Sequence, residues 1–272
     1  MTIKIGLAHM RIKLLARKSN LDRARRLIRE AKLKGAHTII LPSMFTLGSI
    51  FTAYPPQKLR FVAKNYAERV PGGNTTEYLA SLAVEESIYI VGGPIIERAG
   101  PKIFMTVFII SPTGNLVGKY RQIGLNHLEE NIGLSPGKEL ITLAMDKKYG
   151  LIAQTDLYYP EISRSLLLMG ANALIAMPSL DDSSERVLTL LSARSIENSV
   201  PVMAPGALIE SHGEIIKEVP TLAIDPVEGV IAEVRREEEG VVMVEVPESN
   251  EPPRINRRTL MTICKILRQK PF

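Results

Sequence analysis

Short apolar runs that stop at Gly or Pro alternate with segments of helical period along most of this 272-residue chain. That alternation restricts the fold most, because strands separated by helices build sheets that the helices then cover. Ile3 to Met10 reads as a strand. A helix follows, with Ser19 as its cap, Leu21, Ala24, Leu27, Ile28 and Ala31 on its apolar side and Gly35 at its end. Thr38 to Leu41 is a strand closed by Pro42, a second helix begins between Asn74 and Thr76, and IYIVGG is a strand ending on two glycines. KIFMTVFII and LVGKYR then form a hairpin across SPTGN.

The second half repeats the scheme. GLIAQT is a strand, PEISRSLLLMG a helix, ALIAM a strand and Ser184 to about Asn198 a helix, followed by strands in VPVMAP, LAID, GVIAEV and GVVMVEV. No Gly/Ser-rich or Pro-rich linker divides the halves, so residues 1–250 read as one α/β domain of two similar units. Residues 251–272 read as a helical extension suited to an oligomer interface, with a helix from Asn256 to Gln269 placing Leu260, Ile263, Cys264 and Leu267 on one side. Cys264 there is expected as a packed small hydrophobe.

Composition removes several functions. A single Cys excludes an internal disulfide framework, and the apolar runs break well before the roughly 20 residues that span a bilayer. The opening residues look like a strand and not a signal sequence, so a cytoplasmic protein without a membrane partner is expected. The four His residues are scattered and no motif calls for a metal or other cofactor. The net charge of +5 is mild. Basic residues crowd the stretch from Arg11 to Lys34 and the end from Arg254 to Lys270. Solvated helix faces explain both, and nucleic-acid binding is the weaker reading because no aromatic platform accompanies them.

Four segments, in this order and spacing, carry a specific resemblance: GAHTIILPSMF, GKYRQIGLNHLEENIGLSPG, YGLIAQTDLYYPEISRSLLLMGANALIAMPS, and ARSIENSVPVMAP followed by IDPVEGVIAEV. Together they resemble the nitrilase superfamily of carbon–nitrogen hydrolases. The resemblance implies a four-layer α-β-β-α sandwich, usually dimeric or larger. In that family a Glu acts as general base, a Lys stabilises the tetrahedral intermediate and a Cys thiolate attacks an amide or nitrile carbon. The resemblance places these three at Ser43, Gln122 and Gln154. A carboxamide has no useful nucleophilic lone pair at neutral pH, a hydroxyl is no base, and Gln122 offers a dipole where the family has a full charge.

The supporting frame persists in Tyr120, Arg121, Asp156, Pro160, Glu161, Arg194, Glu197 and Asn198. Glu130 matches a second acidic position of the family, with Glu129 adjacent. Gly124 and Pro205 depart from the His and Asn common there. The expected pocket is lined by Ser43, Gln122, Gln154 and Glu130, with Tyr120, Asp156 and Tyr158 beside it. The favoured expectation is an inactive family member that binds a small amide-like ligand or serves as an assembly subunit, as a homodimer or larger homo-oligomer. The alternative is an amidase-type hydrolase with a rerouted site, using Ser43 as nucleophile and Glu130, Asp156 or His127 as base.

Overall fold

The computed structural model describes residues 3–145, 147–235, 239–246 and 256–268. In chain order the first half contains β1 (Ile3–Lys13), α1 (Arg17–Leu33), β2 (Thr38–Ile40), α2 (Ile50–Ala53), α3 (Pro56–Tyr66), α4 (Asn74–Glu86), β3 (Tyr89–Ala99), β4 (Lys102–Ile110), β5 (Leu116–Arg121) and α5 (His127–Asn131). The second half contains β6 (Thr142–Ala144), β7 (Lys148–Ala153), a 3-10 turn (Gln154–Tyr158), α6 (Pro160–Leu168), β8 (Ala173–Met177), α7 (Ser184–Asn198), β9 (Val202–Ala204), β10 (Ala207–Ser211), β11 (Glu214–Val219), β12 (Thr221–Asp225), β13 (Gly229–Val234), β14 (Gly240–Val246) and α8 (Arg257–Arg268).

Two mixed sheets result. One runs β11-β10-β1-β2-β3-β4-β5, with β14 also paired to β1; the other runs β13-β12-β9-β8-β7-β6. Alternation along each strand makes the layers. Ile5 and Leu7 of β1, Val107 and Ile109 of β4, and Leu151 and Ala153 of β7 enter a core between the sheets. Ala8, Met10 and Ile12, then Phe108 and Ile110, then Ile152, belong to the larger apolar cluster that also takes in helix residues. Ala24, Leu27, Ile28 and Ala31 of α1 and Leu166 and Leu167 of α6 are buried there. The chain is therefore the expected α-β-β-α sandwich.

Several local expectations are corrected. α1 begins at Arg17, so Ser19 lies inside it and makes no cap. Buried Asn20 ties the start down instead, accepting from the Lys13 amide (2.9 Å) and donating to the Lys13 and Thr46 carbonyls. The sequence reading did not include α2, α3, α5, β6 or the β10–β11 hairpin. Ile215 and Ile216 of β11 are adjacent and both exposed, so that strand displays no alternation to read. α8 forms, but Cys264 is exposed together with Met261, Ile263 and Ile266, because nothing among the described residues covers this helix. Gln269, Arg254 and Lys270 lie outside the described residues.

The basic face of α1 is extensively ion-paired. Arg17 meets Glu68, Arg23 meets Glu210, Arg26 meets Glu239, and Arg29 reaches both Glu85 and Glu86.

Candidate active site

The strand-to-turn junction after β7 is built with strain. Gln154 has φ +42, a left-handed conformation that an L residue with a Cβ adopts at a cost of roughly 1–2 kcal/mol. The conformation lifts the side chain off the end of the strand towards the loop after β2. There Gln154 Nε2 donates to Ser43 Oγ at 2.8 Å, across 111 residues of chain. Both residues are buried, at 4% and 1% exposure. The next residue, Met44, is also left-handed at φ +48, so the two facing turns are both strained.

Asp156 holds the turn in place. It is fully buried and accepts from the Tyr120 hydroxyl (2.6 Å) and from the amides of Gly124 (2.6 Å), Ile123 (3.1 Å) and Ala153 (3.3 Å). Burial pushes its carboxyl up to about 6, against these donors, with Tyr120 the strongest, which pull it down. Burial, with the adjacent Asp156 carboxylate, raises the Tyr120 hydroxyl above its ordinary value. Both Asp156 oxygens and the single Tyr120 donor are thereby engaged. From behind, Arg194 of α7 donates to the Leu157 carbonyl at 2.8 Å and pairs with Glu197 at 2.9 Å.

Gln122, just past β5, is linked to the same turn through Glu129. Its Nε2 donates to the Gly124 carbonyl (2.7 Å) and to Glu129 Oε1 (3.0 Å), while Glu129 Oε2 accepts from Thr155 Oγ1 (2.9 Å) and the Asn126 amide (2.8 Å). Thr155 directly follows Gln154. The Ser43–Gln154 pair and the Gln122–Glu129–Thr155 group are thus joined through the backbone of one turn, and Gln122 Oε1 is buried without a hydrogen-bond partner among the described residues.

Glu130 and Tyr158 lie outside these hydrogen-bonded groups. Glu130 is exposed and takes no part in the network; Glu129, 1% exposed, is the acidic member. The reason is α5. In that short helix Asn126 and Glu129 cap each other, which turns Glu129 inward and Glu130 to the outside. A capping-box spacing from Asn126 to Glu129 was present in the sequence and would have identified it. Tyr158 is half exposed and donates to Asp182 at 2.6 Å, away from Ser43 and Gln154. His127 is exposed at the start of α5. None of the bases considered for Ser43 is hydrogen-bonded to it. Gly124 is also explained: a Cβ there would lie 2.4 Å from the Tyr159 ring and 3.2 Å from Asp156 Oδ1, so Tyr159 occupies the space a larger residue would need.

A cavity of about 490 Å³ adjoins this region, lined by Ile123, Leu125, Glu130, Tyr159, Glu161 and Ile162 among others; Ser43, Gln122 and Gln154 are not in its wall.

The family description for carbon–nitrogen hydrolases matches residues 4–251. The chain belongs to the carbon–nitrogen hydrolase family. It is 29% identical over 216 residues to a nitrilase of Pyrococcus abyssi, covering 78% of this chain and 77% of that one. It is 27% identical over 248 residues to the omega-amidase NIT2 of Mus musculus, covering 87% and 86%. Among solved structures, a cysteine-to-alanine mutant of the Nesterenkonia AN1 amidase superposes with a TM-score of 0.78 at 21% identity, over 96% of this chain and 97% of that one. Another form of that amidase carries the acetamide moiety of fluoroacetamide covalently at its active-site cysteine. Nit3 of Saccharomyces cerevisiae superposes with a TM-score of 0.75 at 22% identity, over 98% and 94%. These relatives are named as enzymes, so the comparisons lend no support to the expectation that this chain is inactive.

Proposed function

We propose that this protein uses the carbon–nitrogen hydrolase frame to bind a small amide-like ligand without attacking it. The observation that carries the reading is the bond between Gln154 and Ser43. Where the resemblance expects sulfur and a carboxylate, a carboxamide donates to a hydroxyl. Neither partner is a nucleophile activated by a base, and loss of a nucleophile alone removes roughly 10⁴ to 10⁶ in rate. The cavity of about 490 Å³ beside this turn supports binding, since it offers a small ligand space within the range usual for such sites.

A second reading is favoured by the relatives: hydrolysis of a non-peptide carbon–nitrogen bond at a rerouted site, with Ser43 attacking. Ser43 would have to exchange Gln154 for a carboxylate, and Glu129 is the buried acid of the network. Ammonia release from a panel of amides and nitriles, measured beside a thermal-shift screen of the same compounds, separates the two. Stabilisation without turnover is the expected result, because a ligand that binds only the folded state must raise its stability. Turnover lost in Ser43→Ala would establish the second reading instead.

We also propose self-association. The exposed apolar residues Leu168 at the end of α6 and Met169 after it, Ile196 of α7, and Met261, Ile263 and Ile266 of α8 support a homodimer or larger homo-oligomer, measurable by light scattering.

A further inference from the structure

The open edge of the first sheet carries a cavity of about 460 Å³ whose walls include four cationic side chains. Lys102 comes from the start of β4, Lys119 and Arg121 from the edge strand β5, and Lys138 with Glu139 from the following loop; Phe104, Ala99 and Ile141 add an apolar portion. We infer that this cavity is a binding site, separate from the Ser43–Gln154 network, for a small phosphate-bearing molecule.

The site is built from below. Glu97 is a buried carboxylate, 1% exposed, that accepts from Arg121 Nε and Nη2 (both 2.8 Å), Lys119 Nζ (3.1 Å) and Thr106 Oγ1 (2.7 Å). Burial works to raise its carboxyl, but the bonds from Arg121, Thr106 and Lys119 outweigh that and hold it below its ordinary value. Lys119 also donates to the Val70 carbonyl at 3.1 Å, and Arg121 lies 4.0 Å over the Phe104 ring. Two cations are thereby locked in orientation before any ligand arrives. Arg121 keeps its Nη1 donors, and Lys119 one N–H, outside these bonds.

The facing wall is equally firm. The Gly137 amide donates to the Gln122 carbonyl at 2.7 Å, Ser135 donates to the Ile103 carbonyl at 2.8 Å, and a Cβ at Gly137 would meet the Arg121 carbonyl at 2.1 Å. Only glycine lets that loop approach β5 so closely.

Charge decides the ligand class. Four cations face Glu139 in the wall and Glu97 beneath, leaving an excess of two positive charges, which a phosphate dianion matches. Lys102 and Lys138 are exposed and supply the charge that Glu97 has not already neutralised. The volume falls in the range of roughly 300–1,000 Å³ typical of small-molecule sites, and the charges converge on one cavity instead of tracking a strand.

Titration of the full chain with pyrophosphate at constant ionic strength, followed by calorimetry and thermal shift, tests the inference. Saturable binding is expected, weakened roughly tenfold or more in the double variant Lys102→Ala/Lys138→Ala and unchanged in Gln154→Met. Both lysines are exposed, so the double variant is expected to fold. The inference is overturned by a response that does not saturate, by equal binding in the double variant, or by loss of binding in Gln154→Met. Tighter binding of a single-stranded oligonucleotide than of pyrophosphate to the same lysines would also overturn it, in favour of nucleic acid.

Discussion

The Ser43–Gln154 bond allows a double-mutant cycle whose outcome depends on burial. Ser43→Ala deletes a neutral hydrogen bond of 2.8 Å and strands Gln154 Nε2 at 4% residue exposure. A net hydrogen bond contributes about 1 kcal/mol, and an abandoned buried donor costs about 1–3 kcal/mol. The expected loss is therefore about 2 kcal/mol, or roughly 4–8 °C in Tm for a chain of this size. Gln154→Met keeps length and an unbranched side chain at φ +42 while leaving the Ser43 hydroxyl unpaired, and is expected to cost about 1 kcal/mol. Combining them removes both partners, so the double variant should fall short of the summed losses by about 1–2 kcal/mol. Urea unfolding at pH 7, followed by circular dichroism, gives each value. Additivity of the two single losses within about 0.5 kcal/mol would refute the reasoning, because it would mean that the two groups do not satisfy each other in solution.

Three further outcomes are expected. His9 is buried, bonded to Thr221 Oγ1 at 2.9 Å, and burial lowers its pKa to about 4, with Glu218 opposing. Its stabilisation is complete above the unfolded value near 6.5 and is lost as pH falls through about 4, a total of about 3 kcal/mol; His9→Gln should flatten the stability–pH curve in that window. Glu129→Gln confronts an amide with three donors and should cost about 2–3 kcal/mol in urea unfolding, whereas Glu130→Gln, exposed, should stay within about 0.5 kcal/mol. Gly124→Ala should lose about 1–3 kcal/mol through collision with the Tyr159 ring, and Tyr159→Ala in the same chain should restore part of it; equal losses with and without Tyr159 would contradict the packing argument.

The sandwich was legible because alternation and helical period are local. Leu151 and Ala153 against Ile152, or Ala24, Leu27, Ile28 and Ala31, state their own faces without reference to any partner. Asp156 and Tyr120 were legible as frame, and the structure gives them that role by engaging both Asp156 oxygens and the Tyr120 donor within the turn. Glu129 was missed in favour of its neighbour because a one-residue choice on a short helix depends on which end is capped, and the Asn126–Glu129 signal was available but unread.

The sequence by itself determined the chemistry at three positions: a carboxamide at 154, another at 122 and a hydroxyl at 43, none of which changes with the fold. Only the tertiary structure decided their partners. Ser43 and Gln154 are distant in the chain, and no periodicity reports that their side chains meet, or that Glu97, Lys119 and Arg121 gather beneath a cavity at a sheet edge. Contacts of that kind depend on where whole strands come to rest, and strand order is settled by long-range packing, not by the residues alongside.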